Sequence, residues 1–208
     1  HEQATSFMAD GYARSGGRIG VCMTVPGPGL THAMAGLATA YACSSPVLAI
    51  VGQIHSAAIG GGYGMLHEIR NQSDLLGSVS KWRGIAVTPE AIPALVRQAV
   101  DRLRSGRPQP VGIEIPHDVL ARSCEVELIE PPARRPERLA PDPATIEAAA
   151  ALLAGARLPV ICAGGGVIAS DATPALTRLA DTLQAPVVMA EMGRGALPDT
   201  HPLALTTL

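Results

Sequence analysis

Aromatic residues are scarce in this chain: one Trp, one Phe and three Tyr among 208 residues. The 47% hydrophobic content is therefore almost wholly aliphatic, and with 16% charge it is the composition of a packed α/β-type globular protein. An excess of either charge is also lacking, with 16 Lys and Arg against 18 Asp and Glu. A net charge of −2, with Lys and Arg scattered along the chain, leaves no footprint for nucleic acid and no polybasic patch for a membrane. Long hydrophobic runs are missing too: Ile19 to His32 and Leu158 to Ser170 are broken by Gly and Pro before they could span a bilayer. No N-terminal stretch resembles a signal peptide, so a cytoplasmic protein is expected. Cys22, Cys43, Cys124 and Cys162 include none of the close pairs that zinc sites or redox motifs require. The first three lie in or beside expected core elements, which predicts buried thiols in a reducing compartment. An initiating Met is lacking as well; the chain starts at His1 and stops at Leu208 in an apolar run, which reads as an excised fragment.

What is present is a strand–helix alternation. Ala4, Phe7, Met8, Gly11 and Tyr12 fall at helical spacing, predicting a helix from residue 2 to about 14 with that face buried, ended by Gly16-Gly17. Ile19 to Val25 reads as a strand covered on both faces, and Leu30, Ala33, Met34, Leu37, Ala38 and Tyr41 mark a second helix. Val47 to Val51 is the next strand. This order forces a right-handed crossover, and the connection Pro26-Gly27-Pro28-Gly29 lies at the carboxyl end of a strand, where open parallel sheets bind ligands. Residues 53 to 80 read as irregular, with Gly60-Gly61-Gly62 and the polar run His67 to Gln72 forming a loop over the sheet edge. Lys81 to Val87 predicts a strand, Thr88-Pro89-Glu90 a helix start, and Val111 to Ile115 a strand closed by Pro116. Residues 1–129 thus form one domain, 130–141 a proline-rich linker, and 142–208 part of a second α/β unit. In that unit Asp142 caps a helix, Gly164-Gly165-Gly166 makes a tight turn between a strand and a helix, and Pro186 to Ala190 is a further strand.

Taken singly, the residues at the front are ordinary. Glu2 is a carboxylate in the first turn of a helix, where the dipole favours it. The Pro-Gly-Pro-Gly turn matches neither the dinucleotide fingerprint nor the phosphate loop. As one spaced set they say more. His1-Glu2, Met8-Ala9-Asp10-Gly11-Tyr12-Ala13-Arg14, Gly27-Pro28-Gly29, Gly36, Ala40, Ser45-Pro46 and Val51-Gly52-Gln53 closely resemble the pyrimidine-binding domain of thiamine-diphosphate enzymes of the acetolactate synthase and 2-oxoacid decarboxylase superfamily. The likeness continues more loosely through Ser80-Lys81-Trp82 and Gly112 to Asp118. Ala163-Gly164-Gly165-Gly166-Val167, Met192 to Gly195 and His201-Pro202-Leu203 resemble the central domain of the same enzymes.

The resemblance implies a three-layer, parallel-sheet thiamine-diphosphate-binding fold followed by part of a Rossmann-like domain. It implies that Glu2 hydrogen-bonds the pyrimidine N1′ of thiamine diphosphate, promoting the imino tautomer that generates the C2 ylide for attack on a 2-oxoacid. Partial burial would raise the pKa of such a carboxyl. It places Pro28 against the pyrimidine, with Gly27 and Gly29 keeping side chains clear, His32 near the cofactor amino group where many relatives carry Asn, and Gln53 facing the site. His67, Glu68 and Lys81 become substrate-pocket candidates, each equally readable as a solvated polar residue. Magnesium and the diphosphate would be held by a Gly-Asp-Gly segment that these residues do not include, and FAD in the central domain stays open. The implied active site spans a homo-oligomer interface, so the chain alone should be catalytically silent. The implied activity is decarboxylation of a 2-oxoacid to an enamine followed by carboligation, as in acetolactate synthase; simple decarboxylation is the alternative. A non-catalytic binding module of the same fold is the alternative of another class, which the presence of Glu2 disfavours.

Overall fold

The computed structural model describes residues 1–129 and 140–205. The chain divides into two compact units, His1–Glu137 and Arg138–Leu208. Most of the linker expected over 130–141 lies outside the described residues.

The first unit opens with α1 (Glu2–Gly16), started by the His1 side chain, whose Nδ1 accepts the Gln3 N–H at 3.3 Å. Gly17, at φ 58°, stops it by donating its N–H to the Ala13 carbonyl, the left-handed ending that glycine adopts at least cost. The buried stripe of α1 is small: Ser6, Ala9, Asp10 and Ala13. That smallness lets α1 lie directly on its neighbours. A Cβ on Gly20 would collide with the Ala9 carbonyl, and one on Gly36 with Ser6 and the Phe7 backbone. A core of Ala, Gly, Leu and Val packed at this range leaves little room for rings, which accounts for the scarcity of aromatics.

β1 (Gly20–Thr24), β2 (Val47–Gln53), β4 (Val111–Pro116) and β3 (Trp82–Ile85) form a parallel sheet in the order β1-β2-β4-β3. Gly20 pairs with Val47, Leu48 with Val111, and Trp82 with Val111. Side chains alternate across β2: Val47, Ala49 and Val51 join the core beneath α1, α2 (Pro28–Ala42) and α3 (Gln72–Ser78), whereas Leu48 and Ile50 join the core beneath α4 (Ile92–Arg104). α5 (His117–Leu120) follows β4 at once and buries Val119 in the second core.

Five expectations change here. The face of α1 marked by Ala4, Phe7, Met8, Gly11 and Tyr12 is exposed, because the close approach to β1 and α2 admits only the small stripe Ser6, Ala9, Asp10 and Ala13. β1 is not covered on both faces: Cys22 is buried, but Val21 and Met23 are 54% and 67% exposed, because among the described residues β1 lies at the edge of the sheet, on the far side from β3 and α4. The stretch 53–80 is more regular than it reads, holding a 3-10 turn at Ser56–Ala58 and α3. Only Cys22 of the cysteines is buried, its thiol pushed up to about 11 by desolvation; Cys43 is half-buried, and Cys124 and Cys162 are exposed. The triple glycine at 164–166 is a helix start, with Gly164 capping α7 (Gly165–Ala169).

In the second unit Asp142 caps α6 (Pro143–Ala154), its Oδ2 accepting the Thr145 N–H and hydroxyl at 3.0 and 2.8 Å. β5 (Ile161–Ala163) and β6 (Val187–Met189) pair in parallel through α7 and α8 (Thr173–Leu183). Their core is Ala163, Leu176, Ala180, Val187, Met189, Ala196 and Leu197. No helix among the described residues is long and apolar enough to cross a membrane.

Candidate active site

α1 runs antiparallel to the strands, so its first turn returns to the edge of the sheet where the strands end. β1 delivers the turn Pro26–Gly29 to that edge, β2 delivers Gln53, and β4 delivers Pro116 and α5. Glu2, the glycine-proline turn and His32 on the second turn of α2 therefore meet, although they are separated in sequence.

Glu2 Oε2 stands 3.2 Å from His32 Nδ1, with the two side chains 31% and 49% exposed. The His1 ring stacks on His32 with centroids 4.6 Å apart and planes inclined by 28°. The resemblance implied a Glu2 carboxyl raised by partial burial. It is instead held below the usual carboxylate range, first by a backbone N–H at the helix start and next by His32; the opposing effect of burial is smaller. Glu2 is thus an ionised acceptor, suited to a heterocyclic nitrogen with which a proton can be shared. His1, Glu2 and His32 bring one ligand-type atom each to within 4.8 Å of one another, but the positive end of α1 opposes a cation there.

The turn itself is held by the chain. Gly27 adopts φ 57°, ψ −109°, and a Cβ there would collide with the His67 carbonyl. Gly29 abuts Val25: a Cβ would lie 2.6 Å from Val25 Cγ2 and 3.6 Å from Glu2 Cγ. Both glycines are buried and Pro28 is exposed between them. The absent side chains make room for this protein's own chain, the His67 backbone at Gly27 and the Val25 side chain at Gly29. Gly27→Ala is expected to lower stability by about 1–3 kcal/mol for the left-handed backbone alone, with a further loss from the His67 backbone, which cannot yield as a flexible side chain would. Thermal denaturation would register it.

Gln53 does not open onto the surface. Its Nε2 donates to Glu114 Oε1 at 3.0 Å and its Oε1 accepts the Ile54 N–H at 2.8 Å, within a buried network. Gln72 donates from Nε2 to the same Glu114 oxygen and to the Gly52 carbonyl, both at 2.9 Å, while its Oε1 accepts the Gly27 N–H at 2.6 Å. Ser73 Oγ donates to the other carboxylate oxygen of Glu114. Gln72, Ser73 and Glu114 received no role from sequence. The available signal was Glu114 itself, a lone charge in the otherwise uncharged, wholly buried strand Val111–Pro116.

His67 reaches the turn through its backbone carbonyl, at φ 68°. The Glu68 carboxylate accepts the Gly62 and Met65 N–H groups at 3.0 and 2.9 Å, closing the loop upon itself. Lys81 is not brought to this edge. It precedes β3 at the opposite end of the sheet, where its ammonium donates to the Ser105 and Arg107 carbonyls at 2.8 and 2.7 Å; desolvation, then Arg102, lowers its pKa.

Asp118 in α5 anchors the segment after β2, its Oδ1 and Oδ2 accepting the Ser56 N–H and hydroxyl at 2.8 and 2.7 Å. These bonds, the N–H foremost, hold its carboxyl down to about 2, against 3.8 when unperturbed. A carboxyl depressed on folding stabilises the fold above its unfolded pKa and loses that contribution as pH falls through the folded value. Thermal midpoints should therefore fall between about pH 4 and pH 2, and Ser56→Ala, which removes the hydroxyl and keeps the N–H, should flatten that decline in part.

Residues 1–75 match the family model of the thiamine pyrophosphate enzyme N-terminal TPP binding domain, and residues 146–208 match that of the thiamine pyrophosphate enzyme central domain. A probable 2-ketoarginine decarboxylase of Pseudomonas aeruginosa is 42% identical over 203 residues, which are 98% of this chain and 36% of that protein. A probable acetolactate synthase large subunit of Methanocaldococcus jannaschii is 41% identical over 214 residues, 99% of this chain and 35% of its own length. An acetolactate synthase of Arthrospira platensis is 37% identical, with 99% and 36% covered. The chain thus spans about a third of the length of these curated relatives. With both of its units matched in order, and the Glu2 carboxylate standing beside the glycine-proline turn, the chain belongs to the thiamine pyrophosphate enzyme family.

Proposed function

We propose that the full-length protein is a thiamine-diphosphate-dependent enzyme acting on a 2-oxoacid, with decarboxylation followed by carboligation as in acetolactate synthase. The observation that carries the proposal is the Glu2–His32 pair, an ionised carboxylate oriented at 3.2 Å beside an exposed proline on the ligand-binding edge of the sheet. That arrangement fits the pyrimidine half of the cofactor. Glu2 would share a proton between its carboxylate and a ring nitrogen, His32 would fix the carboxylate's direction, and Pro28 would give the ring an apolar seat. When bound, thiamine diphosphate supplies the electron sink for decarboxylation.

The same exposure that admits the ring leaves Glu2 open to water, so a dry site needs a second wall. A second subunit of a homo-oligomer provides that wall, and the diphosphate with its magnesium ion is held outside these residues. His67 and Glu68 shape the substrate side as a loop, acting through backbone as much as through side chains.

Simple decarboxylation is the second reading, favoured by the similarity to a probable 2-ketoarginine decarboxylase. Product analysis of the full-length protein separates the two. A branched 2-hydroxy-2-methyl-3-oxoacid from pyruvate supports carboligation. An aldehyde from a 2-oxoacid with a guanidinium side chain, with pyruvate untouched, supports decarboxylation. Turnover of neither, with thiamine diphosphate and magnesium supplied, counts against both. A visible absorption spectrum of the same preparation reports whether the central domain carries FAD.

A further inference from the structure

We infer that Gln72 is a positioning residue for the cofactor, setting the Pro26–Gly29 turn through the Gly27 N–H. Its side-chain amide joins three strand ends at this edge. Its Oε1 takes the Gly27 N–H beyond β1, one Nε2 hydrogen goes to the Gly52 carbonyl on β2, and the other goes to Glu114 on β4. With a donor on one side and a carbonyl and a carboxylate on the other, the amide has one workable orientation. It is 3% exposed, so losing any of these bonds would strand a buried group.

The amide is itself aimed. Asn71, at φ 56° and ψ 46°, reverses the chain so that Gln72 becomes the first residue of α3. Ser73 and Gln53 complete the grip on Glu114, so the carboxylate that orients Gln72 is fixed from two further directions. On the other side of Gly27 sits the His67 carbonyl, five residues before Gln72. The turn is therefore held between two parts of one segment. The loop proposed to shape the substrate pocket and the turn proposed to seat the pyrimidine move as a unit, and the position of Pro28 depends on a side chain that touches neither ligand.

This rests on the proposed function, and its test keeps the two apart. Pro26 and Pro28 have no N–H, so Gly27 carries the sole backbone amide hydrogen of that tripeptide and its exchange can be read without ambiguity. In the cofactor-free full-length protein, Gln72→Met should raise Gly27 exchange by about tenfold or more. The calorimetric Kd for thiamine diphosphate should rise about tenfold, the equivalent of about 1.4 kcal/mol, while kcat at saturating cofactor stays within about twofold. Gln72→Glu sets two carboxylates against each other and should weaken binding further; adding Glu114→Gln should restore part of it, a coupling that general destabilisation would not produce. Unchanged Gly27 exchange in Gln72→Met, or faster exchange with unchanged Kd, overturns the inference. If Gln72→Met does not fold, the pair carries the test, and failure of Glu114→Gln to improve Gln72→Glu overturns it. Should the wild-type protein bind no thiamine diphosphate, the proposed function falls, and with it the positioning role, whereas the exchange result still reports on the Gln72 grip.

Discussion

Glu2→Gln in the full-length protein is expected to lower kcat by about 10²–10⁴-fold, the range carried by a positioned acid–base group. Glutamine keeps the length and hydrogen-bonding shape of the side chain, and Glu2 is only partly buried at the first turn of α1, so folding should be unaffected. What is lost is the ability to share a proton. The Kd for the cofactor should change much less than kcat, since the seat formed by Pro28 and the turn is intact. Measurement at saturating thiamine diphosphate separates the two effects, and turnover within a few-fold of wild type would remove Glu2 from the proposed proton path. Because the helix start and His32 depress its pKa, Glu2 in the free enzyme stays ionised to below the usual carboxylate range; its acid limb in kcat/KM should lie correspondingly low.

The second large effect is on stability. Glu114→Leu should lower it by about 3–6 kcal/mol, because three donors keep their positions and lose their acceptor, at about 1–2 kcal/mol for each stranded group. Those donors are the Gln53 and Gln72 amides and the Ser73 hydroxyl, and Glu114 is 1% exposed, so water cannot substitute. Burying a carboxylate is costly in itself, and exchanging a whole polar cluster for apolar residues can be neutral. Removing the hub alone is not such an exchange. A fall of roughly 10–20 °C in the thermal midpoint should follow, with Glu114→Gln intermediate because it still offers one acceptor. A midpoint within about 2 °C of wild type would show that the network contributes little.

The two effects mark what sequence could and could not reveal. α2 was legible from its own period, β1 and β2 from apolar runs bounded by turn residues, and α6 from its Asp142 cap; α1 was legible as a helix, but the stripe that marked it is its exposed one. α3 was hidden: it is seven residues long, begins at a left-handed Asn71, and shows no repeat long enough to register against the preceding glycines. The exposure of Val21 and Met23 was also hidden. An apolar run looks the same in an edge strand as in a central one, and only the strand order reveals that α4 lies too far away. The site divides in the same manner. Glu2 and the turn lie within the one stretch that carries the family resemblance, and their roles were implied by that resemblance. Gln72 and Glu114 act on that turn from 45 and 87 positions beyond Gly27, through bonds that no local pattern records.

Edge strand β1 has a practical consequence for anyone handling this stretch apart from the remainder of a protein. Val21 and Met23 are exposed on the face of β1 opposite Cys22 and α1, and its outer side offers backbone hydrogen-bonding groups to any passing strand. Such an edge is a template for intermolecular sheet growth. Precipitation at high concentration would then originate in β1, and a lysine at position 21 or 23 would act as a gatekeeper, keeping the preparation in solution without touching Glu2, Gln72 or the turn between them.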